Sequence, residues 1–357
     1  MSEPVKVAVV GVGRMGPIHA LHVHELEKET GSCALSAIVD VEIGRARRVA
    51  EELGGNIAVF PSIRELLGSG TAQASVLVTP TDNHRANAAE LIEGGQRVLM
   101  EKPLTGTLEG DREFSAALDR EHPDALMLAF QRRFDAPLQY AKELMDSGLI
   151  GRVFKIYSAL EDSNPAPDGY RSGGILPDMS VHNVDEILWL TGQMPQAAVT
   201  IGSRIYSHRL TTCQEDFDDA LLYLWFPGEL VAQVQVSRNH VSGYRVETIL
   251  FGPEGQIKVG RFDQKPFDIM VEAYGKRGRK DPLASRTFRM RDYQKPLPEF
   301  IDRFGPAYKA ELTAFIDCCA AGKPFPTSHR DGLRAQEVVS AGMQAVIGRD
   351  RAAAVGA

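Results

Sequence analysis

"VKVAVVGVGRMGPIHALHVHEL", Val5 to Leu26, runs from β-branched residues through a glycine cluster into an apolar pattern at helical spacing. That order predicts a strand, a tight turn and a helix. Gly11, Gly13 and Gly16 match G-x-G-x-x-G at the turn. In such a loop the first glycine makes the turn and the second lets the backbone approach a pyrophosphate. The third permits close helix–strand packing. The phosphates then rest on the helix N-terminus, where unpaired N–H groups and the helix dipole favour an anion. Glycines also end strands for structural reasons, so the spacing alone is a weak signal. The next strand, "ALSAIVD", ends in Asp40. An acid roughly 20 residues beyond the loop is placed to accept from ribose hydroxyls. The two features together read as a dinucleotide-binding unit, with Arg14 and Met15 in its loop. A carboxylate at that point repels a 2′-phosphate, so NAD is expected ahead of NADP. Arg45, Arg47 and Arg48 read as a solvated helix face beside Glu51 and Glu52.

Strand and helix patterns go on alternating through "SIRELLGS", "ASVLVTP", "HRANAAELIEGG" and "RVLMEKP". This argues for a doubly wound parallel sheet, whose ligands bind beyond the carboxyl ends of the strands. Two loops leave those ends, "TPTDNH" with Thr79, Pro80, Thr81 and His84, and "EKPLTGT" with Glu101 and Lys102. A lysine at such a strand end can hold and polarise an alcohol oxygen, although most Glu-Lys pairs are surface features of little consequence. Pro103 restricts Lys102 to extended backbone, and a cis bond between them is possible.

A second stretch, "SGGILPDMSVHNVDEILWLTG" from Ser172 to Gly192, puts Asp178, His182 and Asp185 on one face of a helix. Three readings compete: a metal site, a proton-transfer site and a polar stripe facing water. No further His or Cys stands nearby at ligand spacing, which disfavours zinc, and no metal is expected.

"EKP" with "GGILPDMSVHNVDEILWLTG", together with "AFQRRFDAPLQYAKELMDSGLIGRV" and the ending "FGPAYKAELTAFIDCCAAGKPFPTSHRDGLRAQEVVSAGMQAV", resembles the Gfo/Idh/MocA family. The resemblance spans Val5 to about Ile347 and is strongest toward inositol dehydrogenases and related NAD-dependent sugar or polyol dehydrogenases. It implies a catalytic lysine in E-K-P and a catalytic Asp and His in D-x-x-x-H, which land on Lys102, Asp178 and His182. Oxidising a secondary alcohol needs a base for the hydroxyl proton, and histidine titrates near neutrality. His182 is therefore the expected base. Asp178 is expected to bind substrate or steady the imidazole, and Lys102 to stabilise developing alkoxide. Asp185 reads as a supporting group or helix surface, and Gly173 and Gly174 as room for the ligand at the helix start. Arg132, Glu161 and Tyr244 are substrate-binding candidates on the same placement. The expected reaction turns a secondary hydroxyl of a cyclic polyol or sugar into a ketone. Relatives of this fold also include glycosidases that use NAD transiently and regulators that only sense it.

At 357 residues two domains are expected, a Rossmann domain over 1–130 and a substrate-binding and oligomerisation α+β domain over 131–357. The net charge of −7 argues against nucleic acid as a partner. No apolar run approaches a membrane span, the start shows no leader pattern, and four scattered cysteines suit a reducing cytoplasm. The segments "AAVTIGSRIY", "DDALLYLWF", "ELVAQVQVS", "YRVETILFG" and "GQIKVG" predict a large, mostly antiparallel, open-faced sheet. "DDALLYLWF" is apolar on both faces, which predicts a second subunit over it, in a homodimer or homotetramer. The basic stretch Lys276 to Lys295 reads as a solvated loop or interface arm, and the last residues as a frayed tail.

Overall fold

A computed structural model describes residues 3–163, 173–203, 216–240, 243–260, 268–276, 281–291 and 297–347. The proline-rich stretch Asn164 to Tyr170, residues 277–280 and 292–295 of the basic stretch and the tail from Gly348 lie outside the described residues, whereas Ala284–Arg289 within the basic stretch is a strand rather than a loop.

The chain forms two compact units that do not follow a single cut in the sequence. The first is Met1–Gln131 with Ala307–Leu333; the second is Arg132–Pro306 with Arg334–Ala357.

In the first unit the strands are β1 (Val5–Val10), β2 (Cys33–Val39), β3 (Ala58–Phe60), β4 (Ala74–Leu77), β5 (Arg97–Met100) and β6 (Leu126–Leu128). They pair in parallel in the order β3-β2-β1-β4-β5-β6, the Rossmann order. Helices α1 (Gly16–Thr30), α2 (Ile43–Leu53), α3 (Ile63–Ser69), α4 (His84–Glu93) and α5 (Leu108–Glu121) connect them. Val7, Ala8, Val9 and Val10 in β1 are all buried, as a strand covered on both faces requires.

The glycine loop is sterically committed. Gly11 has φ +90°, and a Cβ there would lie 2.8 Å from the carbonyl oxygen of Val78. A Cβ on Gly16 would lie 2.0 Å from the carbonyl oxygen of Gly11. Gly13 differs, because a Cβ there would meet nothing within 4 Å.

The returning segment is tied to this unit by several bonds. The Arg97 guanidinium donates to the carbonyls of Cys318, Asp124 and Lys323 and stacks over the Phe325 ring at 3.8 Å. The Thr327 hydroxyl donates to the Leu128 carbonyl at 2.7 Å. Lys309 pairs with Glu25 and Glu29 on α1.

The second unit holds α6 (Ala136–Asp146), β7 (Lys155–Glu161), α7 (Val181–Thr191), β8 (Ala197–Ser203), β9 (Asp219–Trp225), β10 (Val231–Ser237), β11 (Arg245–Gly252), β12 (Gly255–Val259), β13 (Asp268–Gly275) and β14 (Ala284–Arg289). Helices α8 (Glu299–Ala321) and α9 (His329–Gln344) follow, each divided between the two units. The eight strands form one sheet in the order β14-β13-β12-β11-β7-β10-β9-β8, antiparallel except where β7 lies parallel to β10. On β9, Leu222 and Leu224 are buried, while Leu221 and Tyr223 are half-exposed and Trp225 is 45% exposed. The apolar outer face expected from the sequence is present.

Gly16→Ala is expected to lower stability by about 1–3 kcal/mol, the usual cost of forcing atoms into filled space. A urea melt of purified protein checks this, with Gly13→Ala expected to stay close to the parent.

Candidate active site

The first unit gathers its chemistry at the carboxyl edge of its sheet. Gly11, Gly13, Arg14, Met15 and Gly16 follow β1, Asp40 follows β2, Thr79 to His84 follow β4, and Glu101 and Lys102 follow β5. Asp40 is nearly buried, and its carboxylate accepts from the Val12 N–H at 2.8 Å and the Glu42 N–H at 2.9 Å. Loop and carboxylate are therefore fixed to one another. Arg45 stands 3.5 Å from the same carboxylate, so this arginine is partly engaged rather than wholly a solvated face. The open space over Gly13 and the acid at the end of β2 fit a dinucleotide: the loop would hold the pyrophosphate and Asp40 the ribose.

Two of the candidate cofactor residues turn inward. His84 is 2% exposed, with Nδ1 2.7 Å from the Pro103 carbonyl oxygen and Nε2 2.8 Å from that of Thr79. It bridges the loops after β4 and β5. Burial outweighs the pull of those carbonyls and lowers its pKa, so the neutral ring donates to one carbonyl at a time. Glu101 is bonded to His19 of α1, Oε1 to Nε2 at 2.8 Å. Lys102 is half-buried, and its bond to Pro103 is cis.

Behind this loop, Thr105 gives both its N–H, at 2.8 Å, and its hydroxyl, at 2.5 Å, to one oxygen of Asp111 on α5. Burial nevertheless pushes the Asp111 carboxyl up to about 6.

In the second unit, one wider turn with π-type hydrogen bonding, Leu176–Ser180, leads directly into α7. Such turns interrupt α-helical register and occur often at functional sites. Asp178 lies in the π turn and His182 in the first turn of α7, both half-exposed. Asp185 does not share their exposure. It is 1% exposed and takes two bonds from Arg133, at 3.0 and 2.5 Å, which corrects the reading of Asp185 as helix surface. The neighbouring Glu186 is wholly buried, bonded to Arg132 at 2.7 Å and to the hydroxyls of Ser158 and Thr248.

The carboxylate of Asp178 meets Arg238 at 3.1 Å, and Arg238 also reaches Asp216 at 3.4 Å. Asp216 accepts from the Ile175 N–H at 2.8 Å, closing the helix start. A Cβ on Gly174 would lie 2.8 Å from that carboxylate. The close approach at this glycine is thus made by Asp216, where the sequence reading put a ligand. Each acid along this helix has its own arginine, and no metal-holding group of His, Cys, Asp or Glu occurs among the described residues. Sequence reasoning missed Arg238 and Asp216 as helix anchors; the only signal was an acid run before β9 and a basic residue after β10.

Three substrate candidates are placed differently from one another. Arg132 is 2% exposed and committed through Nη1 to Glu186, with no hydrogen-bond partner at Nε or Nη2 among the described residues. Glu161 is 4% exposed and bonded to Arg245 at 2.8 Å and to the Gln235 amide at 2.6 Å. Side chains alternate along β7, and Ser158 of the opposite parity bonds Asn183 of α7. Glu161 therefore faces away from α7, Asp178 and His182, which removes the geometric basis for a substrate contact. Tyr244 precedes β11, and burial foremost raises its phenol pKa, with Arg132, Asp162, Arg303 and Asp178 the charges that act on it. Its hydroxyl remains a donor.

Residues 5–130 match the family profile described as oxidoreductase family, NAD-binding Rossmann fold, and residues 138–258 match the GFO/IDH/MocA C-terminal domain. Over 325 residues the chain is 30% identical to a scyllo-inositol 2-dehydrogenase (NAD(+)) of Bacillus subtilis, covering 90% of this chain and 88% of that protein. The chain belongs to the Gfo/Idh/MocA oxidoreductases. A myo-inositol 2-dehydrogenase of Thermotoga maritima is 27% identical over 333 residues, with 93% of each chain covered. Among solved structures, scyllo-inositol dehydrogenase from Lactobacillus casei with bound NAD(H) and scyllo-inositol superposes with a TM-score of 0.78 at 25% identity, covering 96% of this chain and 97% of that one. The Gfo/Idh/MocA assignment makes the first unit an NAD-binding domain and the protein an oxidoreductase.

The shift at Asp111 has a pH signature. Its folded value lies above the ordinary 3.8, so ionisation subtracts stability, nothing below about pH 4 and the full amount above about 6. Asp111→Asn keeps the oxygen that Thr105 binds. It is expected to raise unfolding stability by roughly 2 kcal/mol at pH 8 and to bring no gain at pH 4, as measured by denaturant melts at both values.

Proposed function

We propose that this protein oxidises a secondary hydroxyl of an inositol or a related cyclic polyol or sugar to the ketone, with NAD as oxidant. The observation that carries the reading is the presence of Lys102 at the end of β5 and of Asp178 and His182 at the head of α7, in a chain that is 30% identical to an inositol 2-dehydrogenase. NAD, when bound, supplies the hydride acceptor.

The chain supplies everything else. Lys102 donates to the reacting oxygen and stabilises negative charge as it develops. His182 takes the hydroxyl proton, a task that suits an imidazole near neutral pH. Asp178, held by Arg238, offers its remaining acceptor capacity to substrate or imidazole. Tyr244, kept protonated by burial, is a donor to a second hydroxyl. Arg132 is assigned the same kind of role through the two donors that Glu186 does not use. The exposed Trp225 and half-exposed Leu221 and Tyr223 supply the face through which two or four copies associate.

Absorbance at the NADH band, followed with NAD and a panel of inositols and monosaccharides, tests the activity. A rise with one of them, and a weaker one with NADP, is the expected result. No rise with any, from protein that binds NAD, would favour a transient-redox glycosidase or a sensor instead. Lys102→Ala is expected to lower kcat at least 1000-fold, as loss of a transition-state donor does, with NAD still bound in a fluorescence titration. For the assembly, Trp225→Arg is expected to shift the mass measured by light scattering toward the monomer.

A further inference from the structure

Beside Lys102 lies a bonded pair, a buried histidine and a half-buried glutamate, that none of the roles above uses. His19 stands on α1 one turn past Gly16, with no exposed surface. Its Nε2 is 2.8 Å from Glu101 Oε1, and its ring meets the edge of Tyr308 at 5.7 Å. Its other nitrogen, Nδ1, is buried with no hydrogen-bond partner among the described residues. The tautomer with hydrogen on Nε2 spends its one donor on Glu101 and leaves no buried donor idle. A second ring proton would sit unpaired in the interior, at the cost of a desolvated donor.

The groups that act on Glu101 can all be named. His19 faces it from α1, His84 from α4, and Lys102 is its chain neighbour. Burial pushes the carboxyl up, but the hydrogen bond from His19 foremost, with the charge of Lys102 beside it, brings it below the ordinary glutamate value. Glu101 is therefore a carboxylate at neutral pH.

We propose that His19 and Glu101 are positioning residues for Lys102: His19 holds the Glu101 carboxylate at the end of β5, and that carboxylate keeps Lys102 in its ammonium form. Neither touches substrate. This rests on the reading of Lys102 as the group that holds the reacting oxygen, and it gives the half-buried acid beside that lysine a task. An anion next to an ammonium raises the pH at which the proton leaves. Removing the anion then lets Lys102 lose its proton earlier.

The test compares wild type, Glu101→Gln, His19→Phe and His19→Gln. Two readouts are taken as functions of pH: kcat for polyol oxidation, and the labelling of Lys102 by acetic anhydride, followed by peptide mass spectrometry. The labelling needs no turnover. Glu101→Gln and His19→Phe are expected to move the Lys102 labelling midpoint, and with it the alkaline limb of kcat, down by about one pH unit. His19→Gln, which keeps a donor toward Glu101, is expected to recover most of the shift. NAD affinity is expected to stay within a few-fold of wild type. An unmoved labelling midpoint in Glu101→Gln overturns the proposal, as does a kcat that falls equally at every pH, which marks a packing role. If wild type oxidises no polyol while the labelling midpoint still shifts, the relay stands and the assigned reaction fails.

Discussion

Glu186 carries its carboxylate into the interior of the second unit, where Arg132, Ser158 and Thr248 take up its oxygens. Ser158 belongs to β7 and Thr248 to β11, so one side chain of α7 is bonded to two neighbouring strands and to an arginine at the unit's start. Breaking such a buried pair by removing one partner leaves a charge without compensation. The geometry leaves α7 little freedom to rotate or slide. Asp185 to Arg133 and Asp178 to Arg238 add restraints on other sides of the helix. The direction in which His182 leaves the helix is thus set by buried charge pairs on the same helix. A helix held by apolar contacts alone would be positioned less specifically, because dispersion is non-directional.

The two units reach their chemistry by different means. In the first, position comes from backbone: strand ends deliver loops to one edge, and glycines let the chain pass where a Cβ would collide. In the second it comes from paired charges on a nearly buried helix. The first unit also fixes its loops laterally. His84 joins the chain after β4 to the chain after β5, and Asp40 joins the glycine loop to the start of α2. Shape around the cofactor is therefore settled before any ligand arrives, a condition for low-cost binding.

Much of this was legible in the chain, for stateable reasons. The glycine spacing is visible because no other residue tolerates the contacts at Gly11 and Gly16. Asp40 is visible because a strand end fixes its distance from the loop. Burial of charge was not. Arg132 and Arg133 are adjacent and chemically alike, and only the packed structure assigns Arg132 to Glu186 and Arg133 to Asp185. Asp185 was left open between a supporting group and helix surface because nothing in the chain marks its pairing with Arg133, and the π turn before α7 has no marker beyond Pro177. Glu161 shows a different limit. It shares the parity of Tyr157, whose hydroxyl also bonds Gln235, so alternation along β7 already placed it on the far face.

The segment Ala307–Leu333 completes the first unit from far along the chain, beyond most of the second. On a ribosome the Rossmann strands emerge first, but the partners of Arg97, Glu25, Glu29 and the Leu128 carbonyl follow only after the intervening sheet. A nascent chain stalled after residue 131 presents an unfinished surface for as long as the intervening sheet takes to be made. Domains usually mature one after another during synthesis; these two can mature only together. The nucleotide domain of this protein is consequently not a portable module. Exchanging it between relatives at the obvious junction would leave the Ala307–Leu333 segment behind on the discarded piece.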